Sequence, residues 1–145
     1  YSYKMTATNG HEVPLQIWDT AGEEQFHSTT KIYFRDSQAA IIVYDASIPN
    51  SIERIIYWIN LYQEIVPDGF IVIAGNKSDQ LTDLAEAKAQ CLNIENQLHA
   101  SVSLVSALNG DGIDSLFQYV VDNICTKVPA AAHHLTEETD KNCFC

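Results

Sequence analysis

The sequence predicts an α/β domain, with a mostly parallel sheet and an antiparallel hairpin at its edge. Short apolar runs alternate along the chain with longer segments of helical periodicity, a pattern that means crossover units and parallel strands. Two of those runs end on polar side chains, Asp45 and Asn76, and in parallel sheets ligands sit at the carboxyl ends of the strands. Ahead of them, two β-favouring stretches flank Asn9-Gly10, a pair suited to a tight turn that needs a positive φ.

The hairpin comprises "YSYKMTAT", the turn, and "HEVPLQIWD". Ala39–Asp45, "AAIIVYD", is a continuous apolar run and reads as a strand buried on both faces. Residues 50–66 carry Ile52, Ile55, Ile56, Ile59, Leu61 and Tyr62 at helical spacing, and Pro67 to Gly69 stops them. Phe70–Asn76, "FIVIAGN", is a second buried strand. Residues 83–98 are rich in Ala, Leu, Gln and Glu and predict a helix, with Asp83 in its first turn or at its cap. "SVSLVSA" is a third buried strand. Residues 111–127 predict an amphipathic helix with Ile113, Leu116, Phe117, Val120, Val121 and Ile124 on its apolar face. Everything after Pro129 lacks periodicity and reads as a mobile tail, which divides the chain into a domain over 1–128 and a tail over 129–145.

Composition narrows the function. A chain of 145 residues fits one core, and 46% hydrophobic with 19% charged residues is ordinary for a globular domain. The net charge of −11, with only 8 scattered Lys and Arg, argues against a nucleic-acid face. Cys91, Cys125, Cys143 and Cys145 form no C-x-x-C pair, so neither a zinc site nor a disulfide framework is suggested. Cys91 and Cys125 fall in predicted helices and read as small buried apolar residues, and a reducing cytosol is the expected compartment. The pair His133-His134 falls in the tail and carries no metal reading.

The chemistry concentrates in three segments, "DTAGEE" from Asp19, "NKSD" from Asn76 and "VSAL" from Val105. Asp19, Asn76 and Ser106 all fall at predicted strand ends, on one rim of the sheet. "NKSD" matches the N-K-x-D guanine-recognition motif, "WDTAGEE" resembles the second switch motif and "VSAL" resembles the S-A-K loop of small GTPases of the Ras superfamily. "LQIWDTAG", "FHSTTKIYFRDS" and "IIVYDAS" are similar to the segments that set the Rab family apart, and the terminal "CFC" resembles its C-x-C ending. The resemblance covers essentially the whole chain. It implies the three-layer fold of P-loop NTPases and the cofactors GTP or GDP with Mg²⁺.

The resemblance also implies roles. Asp79 would accept the N1–H and exocyclic amine of guanine in a bidentate, charge-assisted pair. Asn76 would tie the loop to its neighbours, the stem of Lys77 would lie across the base, and the Ala107 N–H would meet the guanine O6. Ser106 and Leu108 complete that loop; Leu108 stands where the motif has lysine, so weakened binding is expected. Asp19 would hold magnesium through water, and the Gly22 N–H would face the γ-phosphate, in a loop that reorders between nucleotide states. Trp18, Phe26 and Tyr33 would form part of an effector-facing patch, although they also read as ordinary core aromatics.

Two departures from the family pattern carry consequences. Glu23 occupies the slot of the catalytic glutamine, and a carboxylate beside the γ-phosphate repels it, so slow hydrolysis is expected. No G-x-x-x-x-G-K-[ST] occurs in the 145 residues. The chain opens at what resembles the family's second strand, so the first strand, phosphate loop, first helix and first switch are expected upstream of Tyr1. Losing ~5 charge-assisted contacts at ~1.5–3 kcal/mol each removes at least ~7 kcal/mol, roughly a 10⁵-fold loss of affinity. Without the first strand the hairpin is expected to have no partner beside Ala39–Asp45, and the chain alone to be poorly stable.

In the tail, Cys143 and Cys145 are the expected sites of geranylgeranylation; Asn142, not cysteine, stands fourth from the end, so a C-a-a-X signal fails. Two lipids would supply the adhesion that this acidic tail cannot. The whole reads as a GTP/GDP switch in vesicle traffic, lipid-anchored on the cytosolic face of intracellular membranes and cycling with the cytosol. Its implied partners are an exchange factor, a GTPase-activating protein, an escort protein with prenyl transferase, a dissociation inhibitor and effectors. The alternative is a non-enzymatic interaction module that keeps the effector and prenylation surfaces.

Overall fold

The period-two alternation of side chains along the parallel strands decides how the layers stack. In a computed structural model that describes residues 1–20, 27–48, 52–127 and 143–144, β1 (Ser2–Thr6) and β2 (Glu12–Gln16) come first. They are followed by α1 (His27–Phe34), β3 (Ala39–Asp45), α2 (Ile52–Ile65), β4 (Phe70–Asn76), α3 (Leu84–Leu98), β5 (Ser101–Leu104), α4 (Ile113–Lys127) and β6 (Cys143–Phe144). Strands β3, β4 and β5 form a parallel sheet in which Asp45 lies level with Asn76 and Gly75 with Leu104. On β4, Ile71 and Ile73 join Ile42, Ile55, Ile59 and Ile94, so one face of the sheet packs on α2 and α3. Phe70, Val72 and Ala74 point the other way, onto Leu116, Val120, Val121 and Ile124 of α4. Burial of such side chains at roughly 1.5–3 kcal/mol each is the main force holding these layers together.

The hairpin forms as expected. β1 and β2 pair from Ser2 against Gln16 to Thr6 against Glu12. Gly10 takes a φ of +85°, and the Asn9 side chain accepts the His11 N–H at 3.1 Å. The hairpin joins the core through Ala7, Val13 and Leu15, which pack in the same cluster as the α4 residues. Polar contacts pin it there: the Thr8 N–H donates to Asp122 at 2.8 Å, and Gln118 Nε2 donates to the Thr6 carbonyl at 3.1 Å. The Thr8 N–H also holds the Asp122 carboxyl below its usual range.

The hairpin and the parallel sheet are not one sheet. Strand order is β1-β2-β6 in one and β3-β4-β5 in the other, so β2 has no pairing with β3. That is the break expected beside Ala39–Asp45. One reading is corrected: β3 is not buried on both faces, since Val43 is 61% exposed. Val43 shares a face with Ala39 and Ile41, which pack toward α4. Beyond them α4 no longer covers the strand. β5 is also shorter than "SVSLVSA" suggested and only half-buried.

Helix boundaries follow their sequence signals. The Asp83 carboxylate accepts the Ala85 and Glu86 N–H groups at 2.9 and 3.0 Å and caps α3. Cys91 is buried on α3 and Cys125 half-buried on α4, and the Cys91 sulfur lies 3.9 Å from the Tyr44 hydroxyl. Burial pushes the Tyr44 hydroxyl and the Cys91 thiol up, so both stay neutral. α1 had no sequence signal, because Thr29, Thr30 and Ile32 are β-branched and disfavour helix. It holds through contacts with α2: Phe34 meets Tyr62 edge-to-face at 5.4 Å, and the Lys31 ammonium pairs with Glu64 at 3.3 Å.

Leu116, 3% exposed, lies where α4 touches both sheets. Leu116→Ala is expected to cost about 2–5 kcal/mol in urea unfolding. Hydrogen exchange should show the hairpin amides losing protection before those of β4.

Candidate functional site

The carboxyl ends of β3, β4 and β5 bring the predicted loops together. Asn76 ends β4, and its side-chain oxygen accepts two backbone donors, the Lys77 N–H at 2.8 Å and the Ala107 N–H at 3.0 Å. The Asn76 side chain therefore fastens the "NKSD" and "VSAL" loops to each other. A backbone bond from the Ser78 N–H to the Val105 carbonyl at 3.0 Å adds a second tie. The Ala107 N–H, expected to meet a guanine O6, is thus already engaged by Asn76; reaching a base would require sharing or release.

Asp79 sits in a single turn of 3₁₀ helix, Ser78–Gln80. Its Oδ1 accepts the Ser106 hydroxyl at 2.5 Å. Ser106 is fully buried, so it is a fixed donor beneath an exposed carboxylate. Its own backbone is held by the Asp111 carbonyl at 2.9 Å. The loop is tightened further by Asn109, whose side-chain nitrogen donates to Asp111 at 2.7 Å. A carboxylate has about four lone-pair positions, so Asp79 keeps room for a bidentate donor after Ser106 has taken one. Leu108 stands at the loop tip, 84% exposed, where an apolar side chain can cover a flat apolar ligand face.

Lys77 is the strained member. Its backbone lies in the left-handed region, φ 66° and ψ 35°, which disfavours a side chain with a Cβ. Its ammonium pairs with Asp45 Oδ2 at 2.5 Å. The same carboxylate accepts the Ser47 hydroxyl at 2.6 Å and the Ser47 N–H at 3.0 Å. Those donors, Lys77 first, hold the Asp45 carboxyl down at about 2, against an ordinary 3.8. Asp45 was not singled out by sequence as a site residue. The signal was present, since the apolar β3 run ends on this acid and lies level with Asn76.

Asp19 lies three residues past the end of β2, exposed to solvent. It lines a cleft of about 430 Å³ together with Thr20, Asn76 and Ala107, so the "DTAG" segment does share a space with the other two loops. Among the described residues no three His, Cys, Asp or Glu side chains gather at one point. Asp19 offers a hard cation one carboxylate, with water and ligand oxygens left to supply the rest. Gly22, Glu23 and Phe26 lie outside the described residues. Trp18 and Tyr33 are both exposed, at 45% and 39%, and stack with ring centroids 4.9 Å apart. They are therefore not core aromatics.

The Asp45 ion pair gives a pH test. A folded-state value lowered to about 2 from 3.8 means that Asp45 stabilises the fold above pH 4 and that this contribution disappears as pH falls toward 2. Asp45→Asn should lower the urea midpoint at pH 5, and the gap from wild type should narrow steadily between pH 4 and pH 2.

Comparison with known proteins gives the family. The model of the Ras family matches residues 1–126. Ras-related protein RabC of Dictyostelium discoideum is 37% identical over 116 residues, 79% of this chain and 59% of the relative. Ras-related protein Rab-4 of the same organism is 34% identical over 139 residues, 93% and 66% respectively. Ras-related protein Rab-12 of Mus musculus is 30% identical over 131 residues, 89% and 54%. The chain spans between about half and two thirds of the length of these relatives. It belongs to the Ras family, and within it to the Rab-like small GTPases.

Proposed function

We propose that this chain carries the guanine-recognition half of a GTP/GDP switch that serves vesicle-mediated membrane traffic. The observation that carries the reading is the Asp79–Ser106–Asn76 constellation: a carboxylate fixed from below, at the rim of a parallel sheet, beside an amide that locks two loops together. Guanine presents two adjacent N–H donors and adenine does not, so a fixed carboxylate selects guanine. Asp79 would accept the base, Lys77 and Leu108 would cover its faces, and Asp19 would hold the magnesium, whose charge would neutralise the phosphates. The relatives are named Ras-related and Rab, which favours membrane traffic over other uses of this fold. Exchange factors, GTPase-activating proteins, escort protein with prenyl transferase, a dissociation inhibitor and effectors are the partners of such a switch. Trp18 and Tyr33, stacked and exposed, suit the effector side. No helix among the described residues is long and apolar enough to cross a membrane. Lipid on Cys143 and Cys145 would supply attachment to the cytosolic face.

The non-enzymatic module is favoured by one feature, Glu23 in the glutamine slot. Such a module keeps the effector surface of Trp18 and Tyr33 and the prenylation cysteines Cys143 and Cys145 while giving up turnover.

Both readings can be separated. The chain by itself should show no thermal stabilisation by micromolar GDP and magnesium, because its base contacts act without a phosphate loop. At millimolar concentrations GDP should produce a saturable shift that ADP does not, and Asp79→Ala should abolish it. Equal shifts with GDP and ADP would sink the guanine assignment. In a protein that joins this chain to a phosphate loop, single-turnover GTP hydrolysis should be slow, and Glu23→Gln should raise it by about 100-fold, the worth of one well-placed donor. An ordinary family rate with Glu23 in place would refute the slow-hydrolysis assignment.

A further inference from the structure

Asp45 closes β3 with its two carboxylate oxygens divided between two partners. Oδ1 accepts the Ser47 hydroxyl at 2.6 Å and the Ser47 N–H at 3.0 Å, while Oδ2 pairs with the Lys77 ammonium at 2.5 Å. The Ser47 bonds are local and set which way the carboxylate faces. The strand end itself is tied down: past the last ladder pair, Asp45 against Asn76, the Ala46 N–H donates to the Asn76 carbonyl at 2.9 Å. The acceptor that meets Lys77 is therefore carried on a fixed support.

The backbone end of Lys77 is held as well. Its N–H donates to Asn76 Oδ1 at 2.8 Å, and its carbonyl accepts the Gln80 N–H at 3.0 Å. The φ of 66° fixes the direction in which Cβ leaves the chain. The four-carbon stem thus runs between two fixed points. A lysine side chain carries more rotamer entropy than most, and a ligand that lies on it must order it. Here the ordering is done in advance. The charges of ammonium and carboxylate also offset each other, so the stem meets a neutral ring as hydrocarbon. The Lys77 side chain is 49% exposed, and exposed Asp79 stands two residues on at the same rim.

We propose that Asp45 is a positioning residue for base recognition: it anchors the Lys77 ammonium so that the stem forms a preset apolar platform beside Asp79. The inference rests on the guanine reading proposed above. Asp45 acts through Lys77 and touches no base itself. Asp79 reads the edge of the ring, and Lys77, set by Asp45, covers its face. The two acids therefore contribute separately, Asp79 to the choice of base and Asp45 to affinity for any flat base that enters.

The test is a double-mutant cycle on this chain, with guanosine and inosine as probes in NMR titrations. Both nucleosides are uncharged, so the charge removed at Asp45 does not bias them. Asp45→Asn keeps an oxygen for Ser47 and loses the anchor. It should weaken both nucleosides about threefold, the scale of one exposed ion pair, and leave their ratio unchanged. Asp45→Glu should restore most of the affinity. Lys77→Met keeps an unbranched stem without the ammonium, and adding Asp45→Asn to it should cause no further loss. Asp79→Ala should instead erase the preference for guanosine, whose exocyclic amine inosine lacks. An Asp45 that merely stabilises the fold would lower the urea midpoint and leave the affinities of the folded protein untouched. Guanosine bound by Asp45→Asn as tightly as by wild type, or an equal loss with and without Lys77→Met, overturns the positioning role alone. Failure of the wild type to bind guanosine overturns the guanine reading and the positioning role together.

Discussion

The apolar face of α4 is the constraint on which the structure depends. Among the described residues two three-stranded sheets share no strand pairing, so no continuous ladder joins them there. What joins them is one cluster in which Leu116, Val120, Val121 and Ile124 touch Ala7, Val13 and Leu15 on one side and Val72, Ala74 and Ala39 on the other. Hydrophobic burial is non-directional, and that is why it can bridge a gap that directional backbone bonds cannot. The polar contacts of Asp122 and Gln118 then fix the orientation of the hairpin on this helix. Position of the sheet rim, and with it the site, follows from that packing.

At the rim, geometry is set by the buried Ser106 and the half-buried Asn76 rather than by the exposed charges that would meet a ligand. Ser106 lies fully buried and aims its hydroxyl at Asp79; Asn76 uses its carboxamide oxygen to hold two loops. Such fixed donors and acceptors keep their directions without a ligand, so little ordering entropy remains for binding to overcome. Lys77 and Asp45 are different. Their pair holds a left-handed backbone in place at a position without glycine. Strain of this kind, of order 1–3 kcal/mol, persists where surrounding contacts over-determine it and is concentrated at functional sites.

The cleft and the open strand edges belong together physically. A parallel sheet is stable when each strand has neighbours and both faces are covered. Among the described residues β3 pairs only with β4, and its Val43 is exposed. An edge of this sort attracts strands, and proteins usually blunt it. Here Pro14 removes one donor, and the short C-terminal strand occupies the next stretch of the β2 edge.

The sequence by itself determined the order and type of most elements, because apolar runs, helical spacing, Asn9-Gly10 and the Asp83 cap are local signals. It also determined that "DTAG", "NKSD" and "VSAL" sit past strand ends, since that too is local. Tertiary structure decided the rest. α1 exists by docking on α2 against its own β-branched residues. Val43 is exposed because α4 does not extend over that end of β3, and Trp18 stacks on Tyr33 of α1 across residues distant in sequence. The engagement of Ala107 by Asn76 and of Lys77 by Asp45, and the seating of Cys143–Phe144 on β2, join residues far apart in sequence, and no local periodicity encodes which distant partner will satisfy a given polar group.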